Sequence, residues 1–200
     1  MDILKKIDVL DLRPTQFVLG MKEIADKIAK ISRFTSEEWI KYRDDHEIPV
    51  VIGPRSEFYL IDHHHFARAC WELGITDFKI KILKNLKSMS EPQFWNFMIQ
   101  KEWTYLYDQF GLGPHFPAAL PSDVRCLADD PFRSLAWAVR EKNGFKKTDI
   151  PFFEFKWAAF YRMNLGIRLH SKSDFKEAVK IAMQLSRKKD ASYLPGYIRR

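Results

Sequence analysis

The sequence predicts an α+β fold: a small mixed sheet in residues 1–86, with an all-helical C-terminal half, residues 87–200, packed on it. Three observations predict it. Short apolar runs, Ile-Pro-Val-Val-Ile at 48–52 and Phe-Tyr-Leu-Ile at 58–61, read as strands. After Leu86 the apolar residues fall at helical spacing instead. Aromatic residues make up 14% of the chain and lie mostly in the second half, where a well-filled helical core would take them.

In chain order, Ile7 to Leu12 reads as a first strand. Arg13-Pro14-Thr15 ends it, because proline cannot donate to a ladder. Met21, Ile24, Ala25, Ile28 and Ile31 share one helical face, so Gly20 to Ile31 is an amphipathic helix. Thr35 followed by Glu38 is a capping box that opens a short helix through Trp39. Ile48–Ile52 and Phe58–Ile61 form a hairpin across the turn Gly53-Pro54-Arg55-Ser56. Asp62 then caps a helix that runs to Leu73 and stops at Gly74. Phe78, Ile80 and Ile82 alternate with Lys79 and Lys81, the mark of a strand with one wet face. Ser90 opens a helix from Glu91 to Leu106, and Gly111 to Pro121 is a loop. Asp130-Pro131 opens a helix that Asn143-Gly144 closes, and helices over 151–164 and 174–189 follow.

Composition narrows the function classes. With 200 residues, 46% hydrophobic and 30% charged, the chain is globular and buries a core without staples. The formal charge of +7, from 33 basic and 26 acidic residues, favours polyanionic partners such as nucleotides and DNA. The basic clusters Arg187-Lys188-Lys189 and Arg199-Arg200 read as solvated surface. Cys70 and Cys126 are far apart and in no metal spacing, so a disulfide framework is not indicated. Met1 to Lys6 lacks the apolar run of a signal peptide, and no stretch is apolar enough to span a bilayer. The expected location is the cytoplasm, with no membrane partner; oligomeric state is not legible.

The sharpest chemical feature is Tyr59-Leu60-Ile61-Asp62-His63-His64-His65. A buried strand here delivers polar residues into a helix N-terminus, whose unpaired N–H groups and partial positive charge suit phosphate. Imidazoles at that place donate to phosphate oxygens or move a proton near neutral pH. Asp62 has three open roles: capping the helix, orienting a histidine, or holding a magnesium ion that bridges to phosphates. Zinc fits poorly. Consecutive helical residues point about 100° apart, and the i,i+4 histidine pair of helical zinc sites is missing.

Leu12-Arg13-Pro14-Thr15-Gln16, then Ile48-Pro49-Val50-Val51, then Leu60 to Ala69 and Leu73-Gly74 occur in the order of a ParB/sulfiredoxin domain. Asp129 to Trp137 is similar to a motif in the helical half of the ParB-like nuclease family. The chain therefore resembles that family within the ParB/sulfiredoxin superfamily, over roughly residues 5 to 165. The resemblance implies a nucleotide or phosphate site with Asp62, His64 and His65 in catalytic roles. It implies His63, Arg68, Arg13 and Gln16 as phosphate-binding, no metal held by protein alone, and magnesium with ATP or CTP as candidate cofactors. Both a phosphoryl-transfer or phosphodiester-cleaving enzyme and a non-catalytic nucleotide- or DNA-sensing module are compatible with it. Departures from the kinase-like Asp-Gly-His-His-Arg motif are specific. His63 replaces the glycine, Phe66 replaces the arginine, and Gln16 stands where those relatives carry a catalytic glutamate. The sulfiredoxin cysteine has no counterpart. No second cluster of carboxylates for two metals, and no clear recognition helix, is legible.

Overall fold

The computed structural model describes residues 7–166, 169 and 171–199, so the readings made at Met1 to Lys6 and at Arg200 lie outside the described residues. The chain enters through a 3-10 turn, Val9–Asp11, where a strand from Ile7 was expected. Asp8 accepts from the Leu10 amide at 2.9 Å, and Asp11 accepts from the Asp8 amide at 3.2 Å. Such local side-chain bonds compete with extended backbone, so the strand begins only after them. In chain order the elements are β1 (Leu12–Pro14), β2 (Val18–Leu19), α1 (Met21–Ile31), α2 (Ser36–Asp45), β3 (Ile48–Ile52), β4 (Phe58–Leu60), α3 (His64–Glu72), β5 (Ile80–Asn85), α4 (Glu91–Gln100), β6 (Ala128–Asp129), α5 (Pro131–Glu141), α6 (Phe153–Asn164) and α7 (Lys172–Leu185). Among the described residues no helix is long and apolar enough to cross a membrane.

The main sheet is mixed, with strand order β1-β4-β3-β5. The predicted hairpin forms: β3 and β4 are antiparallel, with Val51 opposite Tyr59. β1 runs parallel to β4, with Pro14 opposite Leu60. Pro14 is part of the strand rather than its terminator, because β1 is an edge and has one side on which no ladder donor is needed. β5 lies parallel to β3 at the other edge, and its register shifts by one residue between Ile82 and Lys84. The extra residue breaks the expected alternation and leaves both Ile82 and Leu83 about 40% exposed.

The described chain divides into two compact units, one of residues up to Val18 with Ile24–Ala128, the other of Leu19–Glu23 with residues from Asp129 on. In the first, Val51, Tyr59 and Ile61 of the sheet side join Leu86, Phe94 and Met98 in a buried cluster, so α4 covers this face. The expected helix to Leu106 stops at Gln100. Glu102 takes a left-handed conformation (φ 51°), and the Trp103 amide bonds back to the Met98 carbonyl at 2.9 Å. Tyr105 then pairs its amide with the Thr15 carbonyl at 2.9 Å, a contact the helix would have forbidden. In the second unit, α5, α6 and α7 enclose Leu135, Val139, Phe145, Trp157 and Tyr161. Phe145 stacks on Trp157 at 4.3 Å. A buried ionic group crosses this unit: Arg133 pairs with Glu23 at 3.0 Å and with Glu154, and Arg140 pairs with Glu154 at 2.7 Å.

Candidate functional site

The strand β4 ends at Leu60 and α3 starts at His64, so the junction is Ile61-Asp62-His63. The helix is capped by His63, not by Asp62 as expected, and His63 lies in the left-handed region at φ 64°, ψ 25°. The turn out of the strand demands this conformation. It is the one a glycine takes without cost and an L-residue takes at about 1–2 kcal/mol, with histidine among the more tolerant types. The exposed Asp62 carboxylate accepts from the His63 amide at 2.6 Å and supports the turn. The first bond of the helix runs from the Ala67 amide to the His63 carbonyl. The amides ahead of Ala67 therefore lie outside the helix's own ladder, at its positive end.

His64 is buried, and its Nε2 accepts from the Thr15 backbone amide at 3.2 Å. The Thr15 hydroxyl donates to the Leu60 carbonyl at 2.6 Å. The Thr15 carbonyl accepts from the Tyr105 amide at 2.9 Å and from the Thr104 hydroxyl at 2.8 Å. Thr15 thus joins β1, the end of β4, the start of α3 and the segment after α4. Burial pushes the His64 imidazole down to about 3; the nearby Asp62 opposes this, while His65 and His63 add to it. Sequence reasoning missed Thr15, which carries no signal of its own. Its place follows from the parallel pairing of β1 with β4.

His65 is also buried. Gln16, adjoining Thr15, is buried, bridges to Tyr105 and donates through Nε2 to the Val18 carbonyl at 2.7 Å. The two arginines have other partners. Arg13 pairs with Glu57 at 2.7 Å, a carboxylate that also takes Arg55 and the Tyr59 hydroxyl. Arg68 grips Glu72 through Nε and Nη2 at 2.9 and 2.8 Å, and donates from Nη1 to the carbonyls of Val124 and Arg125 at 3.1 and 3.2 Å. Its guanidinium also lies over the Trp71 ring. The structure therefore brings together Asp62, His63, His64 and His65, ties Gln16 in through Thr15, and engages Arg13 and Arg68 elsewhere.

A fourth histidine flanks the junction. The His46 ring lies 5.9 Å from that of His63 and stacks on Tyr42 at 3.9 Å. Its Nδ1 bonds the Tyr42 carbonyl at 2.8 Å, so Nδ1 is the donor. Burial lowers its basicity; the Tyr42 carbonyl opposes this, and His63, Lys27 and Lys30 add to it. Phe66, in the place of the motif arginine, packs among Trp39, Tyr42 and His46. No sequence pattern singled out His46. Among the described residues no group of three or more His, Cys, Asp or Glu is placed to hold a metal ion.

Residues 5–163 match the family described as "Putative ParB-like nuclease". The chain belongs to this ParB-like family. The ParB-like match runs from ahead of β1 to Met163 near the end of α6, and so includes the whole junction. The crystal structure of protein Atu1540 from Agrobacterium tumefaciens is similar to the chain, at 34% identity and a TM-score of 0.86, covering 96% of each chain. Among curated proteins none matches. The ParB-like fold is thus that of a mixed α+β protein whose small sheet presents a strand-to-helix junction.

Proposed function

We propose that this ParB-like protein is cytoplasmic and binds a nucleotide or another phosphate-bearing ligand at the junction Asp62–His65. The observation that carries the reading is the helix start itself. Amides outside the ladder, a left-handed capping residue and three consecutive imidazoles meet at the positive end of α3, in a chain of net charge +7. Each hydrogen bond to a charged phosphate oxygen contributes about 1.5–3 kcal/mol. Phe66 is packed in the core where the motif carries an arginine, so affinity should be lower than in kinase-like relatives. Among the described residues no group of three or more His, Cys, Asp or Glu is placed to hold a metal ion, and in this reading magnesium enters with the ligand's phosphates.

Binding without chemistry is the form of this reading that the junction favours. Gln16 carries an amide, which is a poor base, and the imidazole of His64 is kept from protonation by burial. Phosphoryl transfer or phosphodiester cleavage would fall to Asp62, His63 and His65. Calorimetry with ATP, ADP, CTP and a short DNA duplex, each with and without magnesium, tests the binding. We expect a nucleotide to bind and His65→Ala to weaken it. Asp62→Asn should separate a charge role from support of the turn. Wild type that binds none of these ligands, or a His65→Ala variant that binds as tightly, overturns the proposal. Release of inorganic phosphate, phosphorylated acceptor or cut DNA on incubation would move the reading from sensor to enzyme.

A further inference from the structure

The geometry points to His64 as a neutral hydrogen-bond donor through Nδ1, its tautomer set by the main-chain amide of Thr15, and so as a donor to a ligand oxygen at the start of α3. An amide N–H only donates. With Thr15 N at 3.2 Å from Nε2, that ring nitrogen presents its lone pair. The Thr15 hydroxyl does not offer an alternative acceptor of equal quality. Its own proton goes to the Leu60 carbonyl at 2.6 Å, and its oxygen is 3.5 Å from Nε2, at the limit of a hydrogen bond. A neutral imidazole has one proton, which is therefore on Nδ1.

Putting a second proton on Nε2 would break the Thr15 bond and charge a side chain that is only 3% exposed. Of the charged and titratable groups around it, Asp62 favours that charge, while His63 and His65 oppose it. Among the described residues nothing accepts from Nδ1. A phosphoryl oxygen at the start of α3 would accept that proton, and a charged acceptor makes the stronger bond. Thr15 acts here as a positioning residue, through its backbone rather than its side chain.

The donor role rests on the phosphate-binding reading; the tautomer does not. Both are read from one experiment. The full-length protein, labelled with 15N in histidine rings and backbone, is examined by long-range proton–nitrogen correlation between pH 5.5 and 8, with His64 assigned from the His64→Gln spectrum. The expected result is a protonated Nδ1 and an unprotonated Nε2 for His64 across the range, unchanged in Thr15→Val, which keeps the amide and loses the hydroxyl. Added ATP should shift the Nδ1–H resonance together with the His65 and Phe66 amides. A proton on Nε2, or a tautomer that changes in Thr15→Val, overturns the assignment. ATP that shifts the His65 and Phe66 amides but not Nδ1–H overturns the donor role alone. ATP that shifts nothing overturns the phosphate reading and the donor role with it.

Discussion

His63 holds a conformation that its side-chain type does not favour, and strain of this kind tends to gather where a chain has work to do. The strain is measurable. His63→Gly adopts φ 64° without a steric penalty, whereas His63→Val adds a branched Cβ to a left-handed residue. Urea denaturation should rank the valine variant below the glycine variant by about 1–2 kcal/mol. Equal stabilities would mean that the turn relaxes. His64 makes a second prediction, in pH. Its folded imidazole titrates at about 3 against an ordinary 6.5, so between these values the unfolded chain binds a proton that the native chain does not. The stability contributed is fully present above about 6.5 and is lost as pH falls toward about 3, at up to about 1.4 kcal/mol per pH unit. His64→Gln keeps an acceptor for the Thr15 amide and does not titrate. Its urea midpoint should therefore fall less than that of wild type between pH 7 and pH 5.

At the scale of elements, α3 is held at its start and at its middle. Its start is tied to β1 through Thr15, and one turn later Arg68, braced by Glu72 of the same helix, fastens it to the carbonyls of Val124 and Arg125. The sequence reading gives this arginine a phosphate-binding role; in the structure two of its hydrogen bonds go to Glu72 and two to the Val124 and Arg125 carbonyls. Arg68→Ala should cost about 2–3 kcal/mol in chemical denaturation, since it leaves two carbonyls without their charged donor. Arg68→Lys should recover little, because an ammonium does not reproduce the fork. Lowered ATP affinity with unchanged stability would return Arg68 to the phosphate site. The far end of α3 closes on Gly74, whose φ of 65° is the left-handed stop that glycine provides cheaply.

For the whole molecule, the sheet does not complete its own core. Val51, Tyr59 and Ile61 are buried by Leu86, Phe94 and Met98, with Trp95 and Trp103 around them. A chain ending at Leu86 would leave Tyr59 and Ile61 without Phe94 and Met98, and should aggregate or melt well below the full chain. Light scattering and a thermal melt decide this; a stable, monodisperse fragment would show that residues 1–86 fold independently of the rest. The second unit has the opposite character. Arg133 is buried against two carboxylates, Glu23 and Glu154, one from the start of α1 and one from α6. Burial works against the Arg133 charge, and Glu154 and Glu23 outweigh it. Pairing of this kind keeps a buried charge tolerable and ties together segments that lie far apart in sequence.

Wherever a signal is local, the sequence determined the outcome. The Thr35–Glu38 capping box, the Asp130-Pro131 helix start, the 48–60 hairpin and the change of period at Asp62 all depend on residues within a few positions of one another, and each forms. The fold class and the ParB-like membership follow from those features in their order. Only the tertiary structure decided the rest. The bond that sets His64 joins residues 49 positions apart, and the Thr15–Tyr105 pairing that ends α4 early depends on a strand whose neighbour is chosen elsewhere in the chain. The arginines Arg13 and Arg68 carry the same charge in any context, and a carboxylate or a pair of carbonyls brought close by folding settles what each one holds. Local geometry is fixed by sterics and short-range hydrogen bonds, which a run of residues already contains. Partner choice across the fold is fixed by strand register and burial, which exist only once the sheet has formed.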